Sequence, residues 1–219
     1  LLDISSELIE ENLTALAFSG EIELDSLDGV PVVYQHFYFQ AEQSVTYHIK
    51  RIMNGYMPPL AADPDNLINA AEAEERIQLS GDQRKAIRAA LTNKITIITG
   101  GPGTGKTTII NLIVKIFKLM GISVALAAPT GRAAKRITET SGVEAMTIHR
   151  LLEYVYSEDE NEMEFGRNAE NPLEEDSFIV DEASMIDLML MDGFLNALED
   201  GSRLIIVGDA DQLPSVGAG

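Results

Sequence analysis

Apolar positions follow two different patterns along the chain, and the change comes near residue 80. Before it, Leu8, Ile9, Leu13 and Leu16 recur at helical spacing, with Gly20 as the stop. Ile22 and Leu24 then alternate with acids, Asp28-Gly29 is a hairpin turn signal, and Val30–Tyr34 is rich in strand formers. Phe37, Ala41, Val45, Ile49, Ile52 and Met53 predict a second amphipathic helix. Helix, hairpin and helix together read as a small α+β, winged-helix-like module over residues 1–57. Residues 58–77 read as a connecting segment, with Pro58-Pro59 to Asp65 as linker and Asn66–Arg76 as a polar helix.

From residue 80 the apolar runs lose their polar alternation. Ile95–Thr99, Val124–Ala128, Phe178–Val180 and Leu204–Val207 have the composition of strands covered on both faces, which is the mark of a parallel sheet. Helices are predicted over residues 105–120, 131–140, 147–156 and 186–198. The expected architecture over 78–219 is therefore α/β, a parallel sheet flanked by helices. Met185, Met189 and Met191 lie on the last of these helices and are assigned to core packing. Residues 157–176, rich in Glu, Asp and Asn, read as an exposed insertion without chemistry of its own. No internal repeat is visible.

Composition narrows the function classes. The chain has 219 residues and no cysteine, which excludes a disulfide framework and any Cys-ligated zinc or iron–sulfur centre. No apolar run reaches the ~18 residues of a membrane span, and no signal peptide is visible, so a cytoplasmic location without membrane contact is expected. The chain opens on Leu1 rather than Met and stops at Gly219, which predicts a piece of a longer protein. A net charge of −19 looks hostile to nucleic acid, but the charge is partitioned. Residues 1–80 carry −11, residues 81–156 carry +7 and residues 157–219 carry −15. A phosphate backbone meets the local surface, not the sum.

The strongest chemical signal is Gly100-Gly101-Pro102-Gly103-Thr104-Gly105-Lys106-Thr107, followed by Thr108. It is a full G-x-x-x-x-G-K-T phosphate-binding loop between an apolar strand and an amphipathic helix. The glycines let successive backbone N–H groups turn toward an anion, and the helix N-terminus adds a favourable dipole. Lys106 reaches the β- and γ-phosphates, and the Thr107 hydroxyl is placed to ligate Mg²⁺. Phe178-Ile179-Val180-Asp181-Glu182 supplies the second half of the site: Asp181 holds Mg²⁺, while Glu182 orients and deprotonates the attacking water.

Four further segments carry a family resemblance. Asp181-Glu182-Ala183-Ser184 and Leu204-Ile205-Ile206-Val207-Gly208-Asp209-Ala210-Asp211-Gln212-Leu213-Pro214-Ser215 resemble motifs II and III of superfamily 1 helicases. Ala128-Pro129-Thr130-Gly131-Arg132-Ala133-Ala134-Lys135-Arg136 resembles motif Ia, and Thr147-Ile148-His149-Arg150-Leu151-Leu152 the DNA-contacting motif after it. In this order they most resemble the RecD-like 5′→3′ DNA helicases, the exodeoxyribonuclease V alpha subunit family, with the helicase portions of conjugative relaxases as near neighbours. The resemblance implies a RecA-like P-loop lobe that uses ATP and Mg²⁺. It implies that Gln83 contacts adenine and that Gln212 senses the γ-phosphate. It also implies that Pro129, Thr130, Gly131, Arg132, Thr147 and His149 grip single-stranded DNA through its backbone, as a sequence-blind motor requires.

Several alternatives stay open at this level. Ser80-Gly81-Asp82-Gln83 also fits a helix capping box. Lys135 and Arg136 divide evenly between a solvated face and a DNA contact. The acidic N-terminal module suits a protein-docking or packing element better than duplex DNA. A nucleotide-gated DNA-binding or scaffold protein competes with the motor. The resemblance also implies a second RecA-like lobe bearing a catalytic arginine. Only Arg203 lies between Glu182 and the last residue, so these residues alone are expected to bind Mg·nucleotide weakly and turn it over poorly.

Overall fold

The computed structural model describes residues 5–157, 162–209, 211, 212, 215 and 217. Helix α1 (Ser6–Ser19) starts on the Ser5 side chain and ends at Gly20. Strands β1 (Ile22–Leu27) and β2 (Val30–Gln35) form an antiparallel hairpin. Helices α2 (His36–Asn54), α3 (Pro64–Glu75, capped by Asp63) and α4 (Gly81–Thr92) follow. The predicted helix–hairpin–helix order is present, yet α1 has no buried residue, and Phe18 is 90% exposed.

The core of the molecule is a five-stranded parallel sheet in the order β3-β9-β8-β4-β5. Its strands are β3 (Ile95–Thr99), β4 (Val124–Ala128), β5 (Ala145–Thr147), β8 (Ser177–Val180) and β9 (Arg203–Gly208). Alternate residues feed two cores, as the two-residue strand period requires. Ile98, Leu126, Ala128, Ile179, Ile205 and Val207 pack toward α3, α4, α5 (Lys106–Leu119) and α6 (Gly131–Ser141). Ala125, Ala127, Phe178, Val180 and Leu204 face the opposite side, toward α2, α7 (Ile148–Leu151) and α8 (Leu188–Asn196).

Helix α2 therefore covers the sheet although it lies in the N-terminal third. Ile52 is fully buried in the second core. Arg51 donates to the carbonyls of Leu195 (3.0 Å) and Leu198 (2.7 Å), which lie at and just beyond the end of α8, and pairs with Asp200 at 2.6 Å. A cation at a helix C-terminus satisfies carbonyls that have no intrahelical partner. Gly55 lets the chain pass directly over the turn after α8. A Cβ there would collide with the Asp200 carbonyl oxygen and lie 2.7 Å from Lys94 Nζ. Backbone cannot yield cheaply, so Gly55→Ala is expected to cost about 1–3 kcal/mol of stability, read as a lower urea midpoint at unchanged m-value.

Two predicted elements differ in the structure. The helix expected over 147–156 stops after Leu151, because Glu153 takes a left-handed conformation (φ 53°) and breaks it. Tyr154–Ser157 then forms β6, which pairs antiparallel with β7 (Glu162–Phe165). The insertion read as an exposed loop thus contains a β-ribbon strand; its residues 158–161 lie outside those described. The helix expected over 186–198 is preceded by a 3₁₀ turn (Ala183–Met185) and starts at the Asp187 cap, which accepts from the Leu190 N–H at 2.8 Å. That later start turns Leu190, Phe194 and Leu195 inward. Met191 packs against the core, while Met185 and Met189 are exposed rather than packed.

Candidate functional site

A parallel sheet delivers all its C-terminal strand ends to one rim, and the motifs predicted to carry chemistry, apart from Gln83 on α4, follow such an end. The phosphate loop follows β3, Pro129-Thr130 follows β4, Thr147 ends β5, Asp181-Glu182 follows β8 and Asp209 follows β9. Lys106 and Asp181 thus share a rim, on strands separated only by β9.

The loop is held from several sides. The Gly100 N–H donates to the Gly208 carbonyl at 3.3 Å, and Thr104 Oγ1 donates to the Gly101 carbonyl at 2.9 Å. Gly105 caps α5 with φ 86°, a conformation costly for any side chain. A Cβ there would also strike the Gln83 amide nitrogen. Lys106 Nζ donates to the carbonyls of Gly100 and, at 3.2 Å, Gly101, so the ammonium sits inside the loop it is meant to serve. Pro102 and Gly103 form its exposed outer lip, and Thr107 and Thr108 are half-buried at the start of α5.

Gln83 takes the capping-box reading of its segment and also reaches the phosphate loop. Its Oε1 accepts from the Ser80 N–H at 2.9 Å, completing the capping box, and its Nε2 donates to the Thr104 carbonyl at 3.1 Å. The residue therefore ties the start of α4 to the phosphate loop.

Asp181 and Glu182 occupy a tightly specified turn. The Asp181 N–H donates to the Ala127 carbonyl at 3.0 Å, which extends the β4–β8 pairing. Glu182 has φ 55°, and its N–H donates to Asp181 Oδ1 at 2.9 Å. Left-handed backbone at a residue with a long side chain is uncommon and marks a place where position matters more than comfort. Burial pushes the Asp181 carboxyl above the ordinary aspartate range. The Glu182 N–H opposes that shift, the Glu182 charge adds to it, and Lys106 and Arg136 counter it.

This has a consequence for stability. Below the ordinary value of 3.8 the carboxyl is neutral in both folded and unfolded chains, and no penalty exists. As pH rises through the raised folded value, the folded state must ionise a group that the unfolded chain ionises more easily, and stability falls. Asp181→Asn is accordingly expected to raise Tm at pH 7 and to lose that advantage when melts are run below pH 3.8.

A divalent ion fits this donor set. Thr107 hydroxyl and Asp181 carboxylate are hard oxygen donors on neighbouring parts of one rim. Among the described residues no group of three or more His, Asp or Glu forms a closed cage. Mg²⁺ is characteristically held by one or two carboxylates with waters and substrate phosphates, so a closed cage is not required.

The segments predicted to contact DNA are placed as follows. Thr130 caps α6, its hydroxyl oxygen accepting from the Ala133 N–H at 3.3 Å, with Pro129 before it and exposed Gly131 and Arg132 after it. Thr147 caps the short α7 in the same way, accepting from Arg150 at 3.2 Å. His149 is exposed, and its ring meets Tyr154 edge-on at 5.3 Å. Gln212 is exposed, and its N–H donates to the Asp209 carbonyl at 3.3 Å. Ala210, Leu213 and Pro214 of the same motif lie outside the described residues. Arg203 starts β9 at the opposite rim, buried with its guanidinium 5.6 Å from the Phe117 ring centre. It is too far round the sheet to serve the phosphate loop.

Two features escaped the sequence reading. Asp209 is buried at the end of β9, where its Oδ1 accepts from the Asp211 N–H at 3.1 Å and shapes the turn that carries Gln212. Arg136 places Nη1 3.9 Å from Glu182 Oε1. Asp209 stands in the motif III segment, where the sequence assigned it no role of its own; nothing local signals the second.

Comparison with known proteins gives a consistent answer. A family model described as an AAA domain matches residues 83–218. The chain is 35% identical over 187 residues to the ATP-dependent RecD2 DNA helicase of Deinococcus radiodurans, covering 85% of this chain and 25% of that protein. It is 34% identical over 211 residues to the RecBCD enzyme subunit RecD of Mycobacterium tuberculosis, covering 86% and 34% respectively. The corresponding subunit of Haemophilus influenzae is 33% identical over 221 residues, covering 86% and 34%. The chain thus spans about a quarter to a third of the length of these relatives.

Proposed function

Because the chain belongs to the AAA-domain family, in its RecD-like branch, we propose that residues 78–219 form the first ATPase lobe of a 5′→3′ DNA helicase. The observation that carries this reading is the gathering of Lys106, Asp181, Glu182 and the Thr130 helix start at one rim of a single sheet. Phosphoryl transfer asks little covalent chemistry of a protein and much positioning and charge stabilisation. The loop N–H groups of Gly101–Thr107 cradle the phosphates of ATP, and Lys106 neutralises charge on the β- and γ-oxygens. Thr107 and Asp181 would hold Mg²⁺, which would supply positive charge to offset that of the triphosphate. Glu182 orients a water in line with the γ-phosphate and takes its proton. Gln83 contacts the adenine, Thr108 belongs to the nucleotide-binding set, and Gln212 reports whether a γ-phosphate is present.

Pro129, Thr130, Gly131 and Arg132, with Thr147 and His149, form the track for single-stranded DNA. Both threonine oxygens already accept a backbone N–H, which leaves each hydroxyl hydrogen free to donate to a phosphate. Translocation requires a second RecA-like lobe of the same protein to close on the nucleotide. The N-terminal module docks on the lobe through α2 and presents Phe18, Leu27 and Val30 outward, which supports a protein partner rather than a nucleic acid. No described helix is long and apolar enough to cross a membrane; a cytoplasmic location completes the proposal.

The test is ATP turnover and strand separation by the full-length protein. Oligo(dT) is expected to stimulate hydrolysis, and a duplex with a 5′ single-stranded tail should be unwound in preference to one with a 3′ tail. Hydrolysis indifferent to oligo(dT), with neither duplex opened, would refute the motor and favour a nucleotide-gated binding protein.

A further inference from the structure

The Arg136–Glu182 approach joins two parts of the molecule that the proposed function keeps separate. Arg136 lies on α6, the helix whose start forms the DNA track, whereas Glu182 is the base that serves ATP hydrolysis. At 3.9 Å the contact is an ion pair but too long for a hydrogen bond. The arginine side chain is 72% exposed and the glutamate 21%, so the cation is the partner free to leave. Glu182 is fixed by its left-handed backbone and the bond to Asp181.

The surroundings favour exchange. Arg136 stands four residues after Arg132, so both share one face of α6, about 6 Å apart along the axis. Lys135 is directed elsewhere, to Glu139 at 3.9 Å. Arg132 forms no ion pair among the described residues. Lys106, Asp181 and Asp209 also stand at this rim, and both Lys106 and Arg136 act on the Asp181 carboxyl.

We propose that Arg136 is a positioning residue shared between two anions: Glu182 when α6 carries no nucleic acid, and a backbone phosphate of single-stranded DNA when it does. The inference rests on the helicase reading above. Two anions competing for one cation are thermodynamically linked, and the linkage is reciprocal. DNA on α6 withdraws the guanidinium and leaves Glu182 free to take up its water. Removing the Glu182 charge releases Arg136 and strengthens DNA binding even without nucleotide.

A double-mutant cycle on the full-length protein tests this, using labelled oligo(dT) without ATP across a salt series. Arg136→Gln is expected to weaken binding and to lower the slope of log affinity against log salt by about one. Glu182→Gln should tighten binding about two- to fivefold, the range of an exposed ion pair, and should do nothing in the Arg136→Gln background. Glu182→Asn, a residue at ease in left-handed backbone, gives an independent second cycle. With ATP present, Arg136→Gln should raise DNA-free turnover and shrink its stimulation by oligo(dT), and Arg136→Lys should restore both in part. Equal effects of Glu182→Gln in both backgrounds, or an unchanged stimulation ratio in Arg136→Gln, would overturn the proposal while leaving the helicase reading intact. A wild-type protein that neither binds oligo(dT) nor responds to it would remove both.

Discussion

Lys106→Ala is expected to reduce ATP turnover by about 10³-fold, the scale of losing a preorganised charge at a phosphoryl-transfer site. It should weaken triphosphate binding by about 10- to 150-fold, as for one charge-assisted hydrogen bond of roughly 1.5–3 kcal/mol. The fold should survive, because the ammonium donates only to carbonyls of its own loop and lies outside both apolar cores. Turnover and binding of a fluorescent ATP analogue, beside a thermal melt, check all three parts. Retained turnover with lost stability would mean that the lysine braces the loop and does not serve a phosphate.

Glu182→Gln should fail differently. A general base contributes about 10²–10⁴-fold, and its loss should fall on kcat. Nucleotide affinity should stay close to wild type, since Lys106, Thr107 and Asp181 remain. The pair of substitutions therefore separates holding the phosphates from activating water: one lowers affinity and rate together, the other lowers rate alone. Equal losses of affinity in both would place Glu182 among the metal or phosphate ligands and leave the water without a base.

Much of the lobe was legible because its strands lie between two layers of helices. A strand covered on both faces has no polar alternation, so Val124–Ala128 matches β4 residue for residue; Ile95–Thr99 matches β3 as well, although this edge strand leaves Ile97 67% exposed. The loop and acidic pair were legible because their chemistry needs particular residue types at fixed places on a strand–turn–helix path. β5 was missed because it has three residues, too few for any period to show. β6 was absorbed into a helix since Leu151 and Leu152 continue the helical spacing; the strand-forming Tyr154, Val155 and Tyr156 were the opposing signal. The Glu-Met-Glu-Phe alternation of β7 was hidden by its charge.

Other features had no local signature at all. Arg51, Lys94 and Asp200 are far apart in the chain and acquire meaning only when α2 lies on α8. Reading the N-terminal third as a separate module followed from its helix–hairpin–helix periodicity, and periodicity does not reveal that Ile52 fills the lobe's second core. Arg136 posed the same difficulty. Helical spacing showed that it shares a face with Arg132, but not that β8, the strand paired with β4, ends beside it.

The seating of α2 binds the evolutionary fates of distant positions. A heavier residue at 55 would force the 199–201 turn to retreat, and a smaller one at 52 would hollow the layer that Phe178 and Phe194 share. Lineages that diverge at one of these places should show a matching change at the other. Trimming the chain to begin after residue 57 would strip the sheet of a covering it cannot regrow from what is left.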